Sequence, residues 1–171
     1  DVAAVEALAE KAAQGQVCQV ANENDPAQNV VSGDKAAVER AVALAKDAGA
    51  KRALLLPVSA PFHCALMAPA AVEMERALGE VRMSPPAVPL VSNVEAKAVR
   101  DADDIRALLV RQVTGRVRWV ASVDWMAAQG VSEFWEIGAG KALSGMIRRI
   151  AKDAITRNIA SPEDITAALV A

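Results

Sequence analysis

Apolar residues recur along this chain with two different periods, and the switches between them lay out the elements. Val5, Leu8, Ala9 and Ala12 fall at the i, i+3, i+4, i+7 positions of one helix face, which predicts a helix over residues 1–14 with Gly15 as its stop. Val17-Cys18-Gln19-Val20-Ala21 and Asn29-Val30-Val31-Ser32 predict two short strands, joined through the turn cluster Asn22-Glu23-Asn24-Asp25-Pro26. Gly33-Asp34 breaks the pattern and caps a second helix over 35–48, with Val38, Ala41, Val42 and Ala45 on one face and Gly49 past its end. Arg52 to Leu56 predicts a third strand. The order helix, strand, strand, helix, strand is that of a ferredoxin-like unit without its first strand.

Beyond residue 63 the pattern continues with a helix over 64–80, whose stripe Leu66, Ala70, Met74, Ala77 and Leu78 is expected to be buried. A Pro-rich crossover over 81–89 leads into a strand from Val88 to Ser92, then Asn93 and a polar loop over 94–100. Asp101 or Asp103 is expected to cap a helix running through Leu109 and Gln112, and a further helix spans 118–129 up to Gly130. A strand over 131–137, a tight turn at 138–140, a helix over 141–151 and a short strand over 154–159 follow. Ser161 caps the last helix, with Glu163 and Asp164 in its first turn. Such alternation implies an α/β fold with a parallel sheet covered on both faces.

Bulk properties narrow the function classes. A chain of 171 residues supports one good core or two small ones. A formal net charge of −2 excludes the strong basic excess of a nucleic-acid binder. No apolar run approaches the roughly 18 residues of a membrane span, so no membrane partner is expected. Cys18 and Cys64 lack metal-ligand spacing and read as free thiols, which fits a reducing, cytoplasmic setting. The chain opens at Asp1 without an initiator Met, which raises the expectation that it is a piece of a longer protein.

Candidate chemistry is sparse. Gly138-Ala139-Gly140-Lys141 fails as a P-loop, because position 135 is Trp, and as a dinucleotide fingerprint, because position 143 is Leu. The only histidine, His63, lies in the loop Pro57-Val58-Ser59-Ala60-Pro61-Phe62-His63-Cys64-Ala65-Leu66-Met67. Pro61 biases the preceding residue away from helix, which puts His63 at a loop-to-helix junction. A histidine there serves either as a general base facing a cleft or as the closure of a helix end. Cys64 is poorly placed as its nucleophile, since neighbouring residues at a helix start point about 100° apart. Lys51, Arg52, Arg111, Arg116, Arg118, Arg148 and Arg149 are solvated surface by default, or a face for an acidic partner.

A likeness then adds what spacing does not. Asn22-Glu23-Asn24-Asp25-Pro26, Val30-Val31-Ser32-Gly33, Gly49-Ala50-Lys51-Arg52-Ala53-Leu54, the His63 loop, Val91-Ser92-Asn93-Val94, Leu109-Val110-Arg111-Gln112 and Glu136-Ile137-Gly138-Ala139-Gly140-Lys141-Ala142-Leu143 occur in one order. Together they resemble the C-terminal half of the malonyl-CoA:acyl carrier protein transacylases, the acyltransferases of type II fatty acid synthesis. The resemblance implies a ferredoxin-like subdomain lacking its first strand over 1–58, and the C-terminal part of an α/β-hydrolase-like acyltransferase domain over 59–171. It implies a ping-pong transfer of malonyl from CoA to the phosphopantetheine thiol of acyl carrier protein, with no cofactor. It casts His63 as general base and acid, oriented by the backbone carbonyl of Gln112, and puts Phe62, Asn22, Asn24 and Asn93 on the substrate side. Phe62 matches the pattern of malonyl-selective members.

The family's Gly-x-Ser-x-Gly elbow, oxyanion segment and carboxylate-binding arginine do not occur in this sequence. The resemblance therefore implies a missing N-terminal half as a partner, and a chain that is inactive and poorly soluble alone. The alternative is a non-catalytic α/β domain that binds an acidic carrier protein through its arginines.

Overall fold

A computed structural model describes residues 1–169; the last two residues of the expected acyltransferase stretch lie outside it. The chain opens with helix α1 (Val2–Ala13), the antiparallel hairpin β1 (Cys18–Asp25) and β2 (Gln28–Gly33), and helix α2 (Lys35–Asp47). Ala9, Ala12, Cys18, Ala37 and Ala41 form its core, with Leu8, Val31 and Leu44 packed against them. Small side chains on both helices let the backbones approach, which rotates the buried face of α2 onto Ala37, Ala41 and Leu44 rather than the expected Val38 and Val42. Arg40 reaches from α2 to the last carbonyls of α1, donating to Ala12 at 2.8 Å and Ala13 at 3.0 Å. Gly33 sits where a Cβ would lie 2.0 Å from the Val17 carbonyl oxygen, so only glycine fits.

The expected third strand, Arg52 to Leu56, does not form a strand. A strand exists only as a ladder, and no described segment runs alongside this one. Leu54, Leu55 and Leu56 are accordingly exposed, Leu55 by 50%.

The rest of the chain holds a single 3₁₀ turn (Ala65–Met67), then α3 (Ala68–Gly79), the hairpin β3 (Leu90–Ser92) and β4 (Lys97–Val99), α4 (Ala102–Thr114) and α5 (Trp119–Ala128). It closes with β5 (Glu133–Ile137), α6 (Ala142–Ile150), β6 (Ile155–Ile159) and α7 (Pro162–Leu169). The loop expected over 94–100 thus contains β4, which pairs with β3 across a turn at residues 93–96. Asp101 is the residue that caps α4, accepting from the Asp103 and Asp104 amides. Arg106 on α4 donates to the Leu78 and Val81 carbonyls at the end of α3, the same service that Arg40 gives α1. The stripe expected to bury α3 is not buried: no α3 residue is, because α4 covers only one side of that helix.

The parallel sheet is present as one pair, β5 with β6, in register from Glu133–Ile155 to Ile137–Ile159. Its faces are open, with Ile137 77% exposed and Trp135 and Ile155 about half exposed. Both hairpins and this pair are separate two-stranded sheets.

Three ties bind β1 to the later elements. A bulge leaves Ala21 unpaired with β2 and turns its carbonyl to the Val117 amide at 2.8 Å, while the Glu23 amide donates to the Val117 carbonyl at 2.9 Å. The buried Asp25 carboxylate pairs with Arg149 of α6 at 2.8 Å. Arg116 bridges Glu23 of β1 and Glu6 of α1. Among the described residues, no helix is long and apolar enough to cross a membrane.

Candidate active site

The turn carrying His63 is held from three sides. Cys64 is fully buried and its Sγ–H donates to the Pro61 carbonyl at 3.1 Å, closing the turn on itself. The Ala65 amide donates to Gln19 Oε1 of β1 at 2.7 Å. Met67 N–H returns to the Cys64 carbonyl at 3.0 Å. His63 therefore precedes a short 3₁₀ turn, not the start of a long helix, and its backbone has φ +60°. A β-carbon in that left-handed region costs on the order of 1 kcal/mol or more, and the buried Cys64 anchor holds the chain there. The same anchor commits the Cys64 thiol to a backbone carbonyl beneath the turn, while the half-buried ring of His63 faces a cleft.

The ring's other constraint comes from α4. His63 Nδ1 lies 2.9 Å from the Gln112 carbonyl oxygen. A carbonyl can only accept, so Nδ1–H donates to it, and on the neutral ring this leaves the lone pair on Nε2. Gln112 is in the last turn of α4, where carbonyls have no amide four residues on. Gly115 ends the helix at a point where a Cβ would lie 2.7 Å from the Arg111 carbonyl. The Gln112 side chain is held in turn, its Oε1 accepting from Asn93 Nδ2 at 3.2 Å.

The cleft that His63 lines has a volume of about 540 Å³ and runs between α1 and β1, with Glu6, Glu10, Gln19, Thr114 and Arg116 among its walls. Thus the structure brings His63, Gln112 and Asn93 into one connected group. Phe62 is about half exposed beside the ring, while Asn22 and Asn24 are half-buried on β1; none of the three lines this cleft.

Arg116, by its sequence context solvated surface or a face for an acidic partner, is paired within the chain. Burial works against its charge, but hydrogen bonds to Glu23 and Glu6 outweigh that and raise its pKa above the ordinary arginine value. Those partners lie 93 and 110 residues away, with no local signal. Burial likewise pushes the Cys18 thiol up, against a smaller opposing effect of Arg40, so both cysteines are free, buried thiols.

The Gly138-Ala139-Gly140-Lys141 loop resolves in the same concrete way. The Glu136 carboxylate accepts the Leu143 amide at 3.1 Å and the Ser144 amide at 2.7 Å, so the start of α6 is served by an anion from its own chain. Hydrogen bonding from Ser144, reinforced by Leu143 and Asn158, holds the Glu136 carboxyl below the usual range. Among the described residues, no three His, Cys, Asp or Glu side chains gather as ligands for a metal ion.

Comparisons with known proteins agree on one relationship. The chain is 47% identical over 169 residues to the malonyl CoA-acyl carrier protein transacylase of Escherichia coli (strain K12), covering 99% of this chain and 55% of that protein. It is 49% identical to a solved acyl-carrier-protein-S-malonyltransferase from Bartonella henselae, with a TM-score of 0.95 over 99% of this chain and 54% of that one. A malonyl-transacylase solved in complex with its type II PKS acyl-carrier protein superposes with a TM-score of 0.93 at 40% identity, covering 97% of this chain and 54% of its own. No family model matches the chain. The chain spans about half the length of the curated relatives it matches.

Proposed function

Because the chain belongs with the malonyl CoA-acyl carrier protein transacylases over the stretch it spans, we propose that it is the C-terminal half of such an acyltransferase and supplies the proton-transfer side of its active site. The observation that carries this is the His63 ring, fixed through Nδ1 by the Gln112 carbonyl, half-buried, and lining an open cleft.

The chemistry proposed here joins that geometry to the serine nucleophile that the family likeness implies. A serine hydroxyl, from the length of the relatives that this chain does not span, gives its proton to His63 Nε2 and attacks the malonyl thioester carbon. The C–S bond breaks, and the imidazolium returns the proton to the departing CoA sulfur. The phosphopantetheine thiol of acyl carrier protein then gives its proton to Nε2, attacks the acyl-serine, and the serine oxygen leaves as the hydroxyl. In each half-reaction positive charge appears on the ring. A neutral carbonyl thus fills the place of the acid in a Ser-His-Asp triad. The substrates bring both the thioester and the accepting thiol, so no cofactor is called for.

The acidic-carrier reading in its non-catalytic form finds less support. Arg111, Arg116 and Arg149 are engaged with Glu95, Glu6 and Glu23, and Asp25 respectively. Lys51, Arg52, Arg118 and Arg148 are exposed candidates for carrier contact, and Phe62 is a candidate wall against an α-methyl group. A subdomain boundary near residue 58 fits the core confined to α1, β1, β2 and α2.

The test is reconstitution. The chain mixed or fused with the N-terminal half of a relative is expected to transfer malonyl to acyl carrier protein, and the chain alone is not. His63→Ala in the reconstituted enzyme is expected to lower kcat by about 10²- to 10⁴-fold with folding retained. Unchanged transfer by that variant would overturn the assignment.

A further inference from the structure

The family likeness puts Asn93 on the substrate side, and its side chain donates to Gln112. We propose that Asn93 is a positioning residue for His63, acting through the side chain of Gln112. The inference rests on the acyl-transfer reading above.

The carbonyl that orients the ring belongs to a helix end with no backbone cap bond among the described residues, and the chain beyond it is tied down only from Arg116 onward. α2, α3 and α5 each close with a backbone amide from the residue after the helix returning to the last turn. α4 has no such bond among the described residues, and Gly115 leaves in extended conformation at φ −91°, ψ 149°. Helix ends without caps fray. The Gln112 side chain accepts a 3.2 Å bond from Asn93 Nδ2 at its Oε1, and the neighbouring Arg111 pairs with Glu95 of the same hairpin at 2.7 Å. Asn93 is a firm post for this purpose. It follows the buried Ser92, whose carbonyl accepts the Ala96 amide at 2.7 Å to close the hairpin turn, and its own carbonyl accepts the Arg118 amide at 2.9 Å. The β3–β4 hairpin thereby bolts the last turn of α4 in place, and the carbonyl of the same Gln112 sets the ring. Displacing a general base by about 1 Å can cost on the order of a hundredfold in rate.

The chain contains one histidine, so isotope labelling of this chain alone reports one imidazole even when an unlabelled N-terminal half is bound. In ¹⁵N spectra of that complex the wild type is expected to show Nδ1 protonated and Nε2 bare. Asn93→Ala, and equally Gln112→Ala, which removes the side chain but keeps the carbonyl, are expected to mix the two tautomers. Each should lower kcat for malonyl transfer by about tenfold with KM for malonyl-CoA unchanged, and the double variant should be no worse than either. Asn93→Asp, which can accept from the Gln112 amide once that amide turns over, is expected to keep the wild-type tautomer. If Asn93→Ala fails to fold, Asn93→Ser is too short to reach Gln112 and should give the same mixing. An unmixed tautomer together with a raised KM would show that Asn93 touches substrate, and additive losses would show that it does not act through Gln112; either overturns the proposal. If the wild-type complex transfers no malonyl, the acyl-transfer reading falls, while the tautomer measurement still decides what Asn93 does.

Discussion

The unit formed by α1, β1, β2 and α2 and the pair β5–β6 each present an apolar face, yet one is closed and the other open. In the first, Ala9, Ala12, Ala37 and Ala41 meet face to face and are buried. In the second, Trp135, Ile137 and Ile155 are exposed, as are Leu54 to Leu56 in the segment that follows α2. Periodicity says which face seeks cover. It does not say whether the cover is on the same polypeptide. Under the proposed function, the cover these side chains lack is the other half of the enzyme.

The comparison can be broken most forcefully from the closed side. Gly33→Ala drives a Cβ into the Val17 carbonyl and is expected to destabilise the closed unit by about 3 kcal/mol, read as a loss of far-UV signal at lower denaturant. On the open side, Leu55→Ser and Ile137→Ser should shift the stability of the chain alone by no more than about 0.5 kcal/mol. The same two substitutions are expected to weaken association with an N-terminal half in a binding titration. Equal effects on both measurements would mean that the open face is ordinary surface.

A gentler way to separate the regions is pH. The Cys18 pKa is raised in the folded state, so the thiol's contribution is fully present below about pH 8.5 and is lost as pH rises through the folded value. Alkali should therefore loosen the closed unit first, and Cys18→Ala should remove that sensitivity. Glu136 and Asp164 are depressed, Glu136 by hydrogen bonds from Ser144 and Asp164 by the Ala160 and Ser161 amides. Their contribution is present above the ordinary carboxylate range and is lost as pH falls through their folded values. Acid should loosen the β5–α6–β6–α7 region first, with Glu136→Gln flattening the response. Chemical-shift changes resolved by residue would follow both limbs.

Much of the fold was legible because helices declare themselves locally. The helix at 2–13, the Asp101 cap and the Ser161 start of the last helix follow from neighbours within one turn. What failed depended on distant partners. Arg52–Leu56 has strand composition but no described ladder neighbour, and Lys97–Val99 became a strand because β3 lies beside it. The site divides the same way. The loop around His63 could be picked out by its prolines and its lone imidazole, but its link to Gln112 spans 49 residues and was suggested only by family likeness. The Asn93–Gln112 bond and the Arg116 bridges carry no sequence signature at all.

Two arginines described above set an order on how this polypeptide can mature as it leaves a ribosome. Arg40 finishes α1 from the next helix, and Arg106 finishes α3 from α4. Each earlier helix emerges first but must keep its final carbonyls in water until a guanidinium encoded some 25 residues later arrives.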